Sequence, residues 1–170
     1  MGNIAIVGFM GTGKSAVALA LAEKLHKSYV STDDLIVMKE DKSVHDIFKE
    51  NGEPYFREVE SEMVKKASEM DNVVIDCGGG VVLKEENVEA LKKKGPVVSL
   101  SASPSVIYER VKGHRHRPLL NVDDPKEAID RLLKERASFY ARADFSVDTS
   151  DFTIPQVVDK ICAALQKRKP

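Results

Sequence analysis

Residues Gly8 to Ser15, Gly-Phe-Met-Gly-Thr-Gly-Lys-Ser, constrain this chain more than any other stretch. They fit the phosphate-binding loop pattern of two glycines with four residues between them, followed by Lys and Ser, with a further glycine at position 11. The flanks agree with the motif. Ile4-Ala5-Ile6-Val7 is a short apolar run that predicts a buried strand, and Ala16 to Lys24 predicts a helix with Val17, Leu21 and Leu25 on one face. A loop between strand and helix can turn its N–H groups around a phosphate at the positive end of the helix. In such a loop Lys14 reaches the β- and γ-phosphates, and the Ser15 hydroxyl ligates Mg²⁺ directly. The pattern therefore implies a nucleoside triphosphate, and a chance Gly-rich turn is the weaker reading.

The rest of the chain alternates between strands and helices. Ser28 to Ser31 predicts a strand, residues 34–40 a helix, and Ser43 a cap for a short helix ended by Asn51-Gly52. A longer helix follows from about Tyr55, with Phe56, Val59, Met63 and Ala67 at helical spacing. Asn72 to Ile75 and Pro96 to Leu100 read as strands, with a helix from Glu85 stopped by Gly95 between them. Ser103-Pro104 opens a helix to about Lys112 and Pro125 opens another. Phe145 to Val147 is a last strand, and Ile154, Val157, Val158, Ile161 and Leu165 mark a closing helix. This alternation predicts an α/β domain, a parallel sheet with helices on both faces and ligands at the carboxyl ends of the strands. One domain over 1–170 is expected.

Lys and Arg total 26 against 27 Asp and Glu, which gives no sign of a nucleic-acid or membrane surface. No apolar run is long enough to span a bilayer, and the first strand leaves no room for a signal peptide. The two cysteines make no disulfide framework, and Cys162 reads as a buried small hydrophobe. A reducing cytoplasm is expected. The four histidines show no zinc-ligand spacing with the cysteines.

Several residues at the predicted strand ends carry two readings. Asp33 and Asp34 fit a helix N-cap and first-turn charge, or a grip on a hydroxyl or metal, equally well. Asp76 closes an apolar strand in the Walker B manner, which supports Mg²⁺ in phosphate-loop enzymes. Gly78-Gly79-Gly80 suggests backbone pressed against a ligand rather than a merely flexible loop. Arg57 and Glu60 lie three apart on one helix face, and such pairs are usually surface salt bridges worth little. Arg136, beside Glu135, could be only solvated. Residues 113–124 have no apolar period. Their Arg115 and Arg117, with Lys112, fit either solubility or a lid that neutralises a transferring phosphate.

Taken together these residues resemble the shikimate kinase family. The resemblance rests on Gly8–Ser15, Thr32-Asp33, Gly52-Glu53-Pro54-Tyr55-Phe56-Arg57 with Glu60, Gly78-Gly79-Gly80, Arg117-Pro118-Leu119-Leu120, and Arg136 with Tyr140 and Ala143. It covers essentially the whole chain. It implies a three-layer sandwich like that of the nucleoside monophosphate kinases, a P-loop NTPase fold with a five-stranded parallel sheet and a mobile lid over about 113–124. It implies transfer of the ATP γ-phosphoryl group to the 3-hydroxyl of shikimate, in aromatic amino acid biosynthesis, by a protein expected to be a monomer. Gly11, Thr12, Gly13, Lys14, Ser15 and Ala16 would bind nucleotide. Arg110 and Pro155 would flank adenine, and Arg117 would reach the phosphates. Lys14, Asp33 and Arg117 would be catalytic, and Asp33, Arg57, Gly78, Gly79, Gly80 and Arg136, within or near a substrate region over about 33–60, would hold shikimate.

One departure stands out. The family usually has Asp-x-Asp after the second strand, with the first Asp supporting Mg²⁺ through water, and here that position is Ser31. Asp76 stands where the family more often has a small or hydroxyl residue, so it is expected to take over the water-mediated role. The alternative is that Asp76 only caps the glycine turn. A gluconate kinase of similar fold is the competing enzyme, and a nucleotide-binding module without turnover is the competing non-enzyme.

Overall fold

The computed structural model describes residues 2–114 and 120–168. At its centre β1 (Ile4–Gly8) is buried at every position. Side chains of a strand alternate between faces, so Ile4 and Ile6 enter one core while Ala5 and Val7 enter the other. A strand covered on both faces reads as one continuous apolar run, which is what Ile4 to Val7 is.

Four further strands extend the sheet, β2 (Ser28–Ser31), β3 (Val73–Asp76), β4 (Val97–Ser101) and β5 (Phe145–Asp148). The order is β2-β3-β1-β4-β5, and every pairing is parallel. One face carries α1 (Lys14–Leu25) and α7 (Ile154–Lys167), whose Leu21 and Ile161 pack on Ile4, Ile6, Val74 and Val98. The other carries α3 (Val44–Glu69) and α4 (Glu85–Lys92), whose Val64, Val88 and Leu91 pack on Ala5, Val7, Ile75 and Val97. Beyond them, α5 (Pro104–Val111) and α6 (Pro125–Tyr140) enclose a smaller core with Phe9, Ile107 and Ile129. Cys162 is half-buried against the first core rather than fully inside it.

Two local features aim side chains at the site. α2 (Thr32–Glu40) begins earlier than its apolar pattern suggests, because the Ser31 hydroxyl caps it, accepting from the Asp34 amide at 3.2 Å. Asp33 and Asp34 therefore stand in the first turn, where the helix dipole favours acids. In α3 the backbone breaks at Gly52 (φ 81°, ψ 170°), so the two helices expected on either side of Asn51-Gly52 are present within one element. Pro54 sits just past the break, where its missing N–H costs nothing.

Strand order reverses at β1, since the chain leaves β1 for β2 and β3 on one side and then crosses to β4 and β5 on the other. Such a switch opens a crevice beyond the carboxyl end of β1, where the phosphate-binding loop lies. The opposite end of the sheet is tied by Asn3, which is only 2% exposed. Its amide donates to Met70 O at 2.7 Å, and its carbonyl oxygen accepts from Val73 N at 3.2 Å. Asn3→Ala leaves the buried Val73 amide unpaired, while Met70 O keeps a donor in Lys94 Nζ, and is expected to lower the unfolding free energy by about 1–3 kcal/mol. Urea titration measures that loss, and nucleotide affinity should stay unchanged because the site lies at the other end of the strands.

Candidate active site

The loop after β1 is held by its own side chains. Thr12 Oγ1 donates to Phe9 O at 2.7 Å, and Lys14 Nζ donates to the same carbonyl at 3.0 Å. Gly13 precedes α1 with φ 91°, a conformation that other residues adopt only under strain. No side chain caps α1 there, so its leading N–H groups face the crevice. From the far side, Arg110 Nη1 donates to Gly11 O at 3.2 Å and to Thr149 Oγ1 at 3.1 Å. Buried Thr149 donates in turn to Thr12 O at 2.9 Å. The loop is thus fastened to α5 and to the end of β5.

A cavity of about 410 Å³ opens beside it, within the range of small-molecule sites. Gly11, Gly13, Lys14, Ser15, Ala16 and Arg110 line one part, and Tyr29, Ser31, Asp33, Asp34, Asp76, Gly78 and Gly79 the other. Asp76 is 6% exposed, and its Oδ2 accepts from Ser15 Oγ at 2.6 Å and from the Tyr29 hydroxyl at 2.9 Å. Burial and the neighbouring Asp76 carboxylate push the Tyr29 phenol well above its usual range, so it stays a donor. Ser31 and Asp76 are register partners across β2 and β3, so the hydroxyl and the carboxylate end adjacent strands side by side. The glycine turn is capped by another residue. Thr32 Oγ1 accepts from Gly78 N at 3.0 Å, which leaves the Asp76 carboxylate turned toward Ser15.

The far end of the site differs from its sequence expectation. Arg57 and Glu60 do not form an exposed pair. Their side chains are 12% and 1% exposed, with Arg57 Nη1 donating to Glu60 Oε1 at 2.8 Å. Burial pushes the Glu60 carboxyl upward while the Arg57 guanidinium opposes it. Arg57 also donates to Glu53 through Nε and Nη2. Arg136 is likewise buried rather than solvated, at 6% exposed, with its guanidinium 5.9 Å from the Phe9 ring centre. It interacts with Tyr140, whose hydroxyl donates to Gly79 O at 2.7 Å. Burial raises the Tyr140 phenol, and Arg136 counters that. Asp33, Arg57 and Arg136 all lie within electrostatic reach of Glu60.

Three residues that position others went unread in the sequence as structural partners. Tyr29 shares a strand face with Ser31, and Tyr140 sits one helical turn after Arg136, so both carried a periodic signal. Thr149 carried none, since its partners lie on other elements. Of the expected site residues, Thr12, Arg57, Gly80, Arg136 and Pro155 do not border the cavity. Pro155 is exposed in the first turn of α7, and Arg117 lies outside the described residues.

The family model for shikimate kinase matches residues 10–166. The chain belongs to the shikimate kinase family. It is 44% identical over 169 residues to a shikimate kinase of Caldanaerobacter subterraneus subsp. tengcongensis, covering 99% of both chains. A solved shikimate kinase of Acinetobacter baumannii, in complex with shikimate, superposes with a TM-score of 0.95 at 30% identity, over 99% of this chain and 95% of that one. A gluconokinase of Sinorhizobium meliloti superposes at a TM-score of 0.59 with 19% identity, over 98% of this chain and 92% of that one, which is a likeness of fold alone. Membership makes the chain an ATP-dependent phosphotransferase.

Gly80 separates two uses of the glycine run. A Cβ there would lie 2.2 Å from Arg57 Nη1, whereas a Cβ at Gly79 would meet Met10 N at an ordinary 3.5 Å. Gly80→Ala is therefore expected to displace the guanidinium and cost about 1–3 kcal/mol in stability, as overpacking does, while Gly79→Ala costs little. Thermal melts of the two ligand-free variants check the contrast.

Proposed function

We propose that the cavity passes the γ-phosphoryl group of ATP to the 3-hydroxyl of shikimate, giving shikimate 3-phosphate and ADP. The observation that carries this reading is the gathering around buried Glu60, beside a phosphate-binding loop, of the Asp33 carboxylate, the buried Arg136 guanidinium and the largely covered Arg57 guanidinium. A kinase acting on a neutral sugar has no use for two such charges. A ring carboxylate on the acceptor would, because guanidinium groups make paired, charge-assisted hydrogen bonds to it.

In this reading the N–H groups of Gly11 to Ala16 and the Lys14 ammonium cradle the phosphates, and Arg110 and Pro155 flank adenine. Asp33 accepts a hydrogen bond from the acceptor hydroxyl and takes its proton as general base. Arg57, Arg136 and the backbone of Gly78 to Gly80 orient the acceptor. Glu60 and Glu53 take three of the five N–H donors of Arg57, which fixes its plane and leaves two for a ligand. Arg117 is assigned to the transferring phosphate from the family resemblance alone, as part of a closing lid over about 113–124. The same reading has the chain acting as a monomer in the cytoplasm. Two free cysteines suit a reducing compartment, and among the described residues no helix is long and apolar enough to cross a membrane.

The residues present suit Mg²⁺. Ser15 and Asp76 are hard oxygen donors in contact with one another, and the described residues hold no group of three or more His, Cys, Asp or Glu that could bind a metal ion by themselves. A cation that keeps several waters and borrows phosphate oxygens needs little more. Ser15 would be its direct ligand, and Asp76 would orient its waters. When bound, Mg²⁺ neutralises charge on the β- and γ-phosphates.

ADP release measured across shikimate, gluconate and nucleoside monophosphates tests the assignment. Release is expected with shikimate. Arg57→Ala or Arg136→Ala should weaken kcat/KM for shikimate by about 2–5 kcal/mol with little change in the KM for ATP. Release with gluconate or a nucleotide acceptor but not with shikimate would overturn it.

A further inference from the structure

Tyr29 takes no part in the reaction assigned above, yet its hydroxyl reaches the carboxylate assigned to the metal's waters. It lies on β2 opposite Val74, on the same sheet face as Asp76 two residues further along β3. Its ring packs partly against the core beneath α1, and its oxygen ends 2.9 Å from Asp76 Oδ2. That oxygen atom also receives the Ser15 hydroxyl at 2.6 Å. Both contacts have a fixed direction, since a carboxylate only accepts.

The directions decide what each group can still offer. The single Ser15 hydroxyl proton is committed to Asp76, so the lone pairs of that oxygen remain for a cation. Tyr29 and Ser15 load the same carboxylate oxygen, which leaves Oδ1 free of both. Without Tyr29 the carboxylate would be held by Ser15 alone and could rotate about its last bond. With it, the carboxylate is held from a neighbouring strand and a helix at once. Partners of a metal's ligands govern affinity in this way by fixing orientation.

We propose that Tyr29 is a positioning residue for divalent-cation binding, acting through Asp76 to hold the Ser15 oxygen and the free Asp76 oxygen toward one point in the cavity. This rests on the reading that Asp76 faces the metal. The cation is one that accompanies a nucleotide, bound through oxygen.

Mn²⁺ serves as the probe, with bound and free ion distinguished by electron paramagnetic resonance in the presence of ADP. Tyr29→Phe keeps the ring in its packing and removes only the hydroxyl. It is expected to weaken Mn²⁺ binding to the ADP complex by about tenfold, the lower end of what loss of such a partner costs. Metal-free ADP affinity should be unchanged, which a merely misfolded variant would not achieve. Asp76→Asn should weaken Mn²⁺ at least as much, and the double variant should be no worse than Asp76→Asn, because Tyr29 works through that carboxylate. Wild-type Mn²⁺ affinity in Tyr29→Phe beside a weakened Asp76→Asn overturns the role of Tyr29 alone. Unchanged affinity in Asp76→Asn overturns the metal reading and this proposal with it. Losses that simply add in the double variant also overturn it.

Discussion

The leading N–H groups of α1 organise the site. A helix that begins at a glycine with no capping side chain leaves these donors to be met by something other than its own sequence. The positive end of the helix dipole adds to the demand for negative charge there. The loop could have relaxed to satisfy them internally. It is prevented by Thr12 and Lys14 bonding Phe9 O, and by Arg110 and Thr149 gripping Gly11 and Thr12 from outside. The anion site is therefore preorganised by hydrogen bonds to its own carbonyls, which turn its amides the other way.

Around that positive centre the acids are distributed by strand order. Because β3 lies between β1 and β2, Asp76 ends beside the helix that carries Ser15, and Asp33 follows one strand further out. Thr32 takes over the ordinary structural task of capping the glycine turn, freeing Asp76 for Ser15. At the outer end buried Glu60 is paired with Arg57 and lies close to Asp33 and Arg136, so charges of both signs are gathered around one buried carboxylate. Removing one member of such a group leaves the others uncompensated, which is why buried pairs cost about 3–5 kcal/mol to break when surface pairs cost almost nothing.

Much of this was legible in the sequence for a plain reason. Strands such as Ile4 to Val7 and caps such as Ser43 and Ser103 are local patterns, and each produced the element it predicts. The phosphate-binding loop is local too. What stayed hidden depends on contacts between distant segments. Arg57 and Glu60 have the spacing of a surface pair, and only the packing of α3 against the glycine turn buries them. Tyr29 and Asp76 are 47 residues apart and meet because of sheet register. The hydroxyl at Ser31 and the acid at Asp76 are two separate departures from the pattern that the resemblance implies. Register across β2 and β3 brings the two positions side by side.

The central claim is that the phosphate-binding loop and the Asp33–Arg57–Arg136 group form two halves of one reaction site. Diffraction from crystals of the chain grown with ADP, Mg²⁺ and shikimate tests it most directly. The account predicts the shikimate carboxylate against the Arg57 and Arg136 guanidiniums, with the 3-hydroxyl at Asp33 and facing the nucleotide phosphates. Shikimate bound with its carboxylate away from both arginines, or its 3-hydroxyl turned away from the loop, would contradict it.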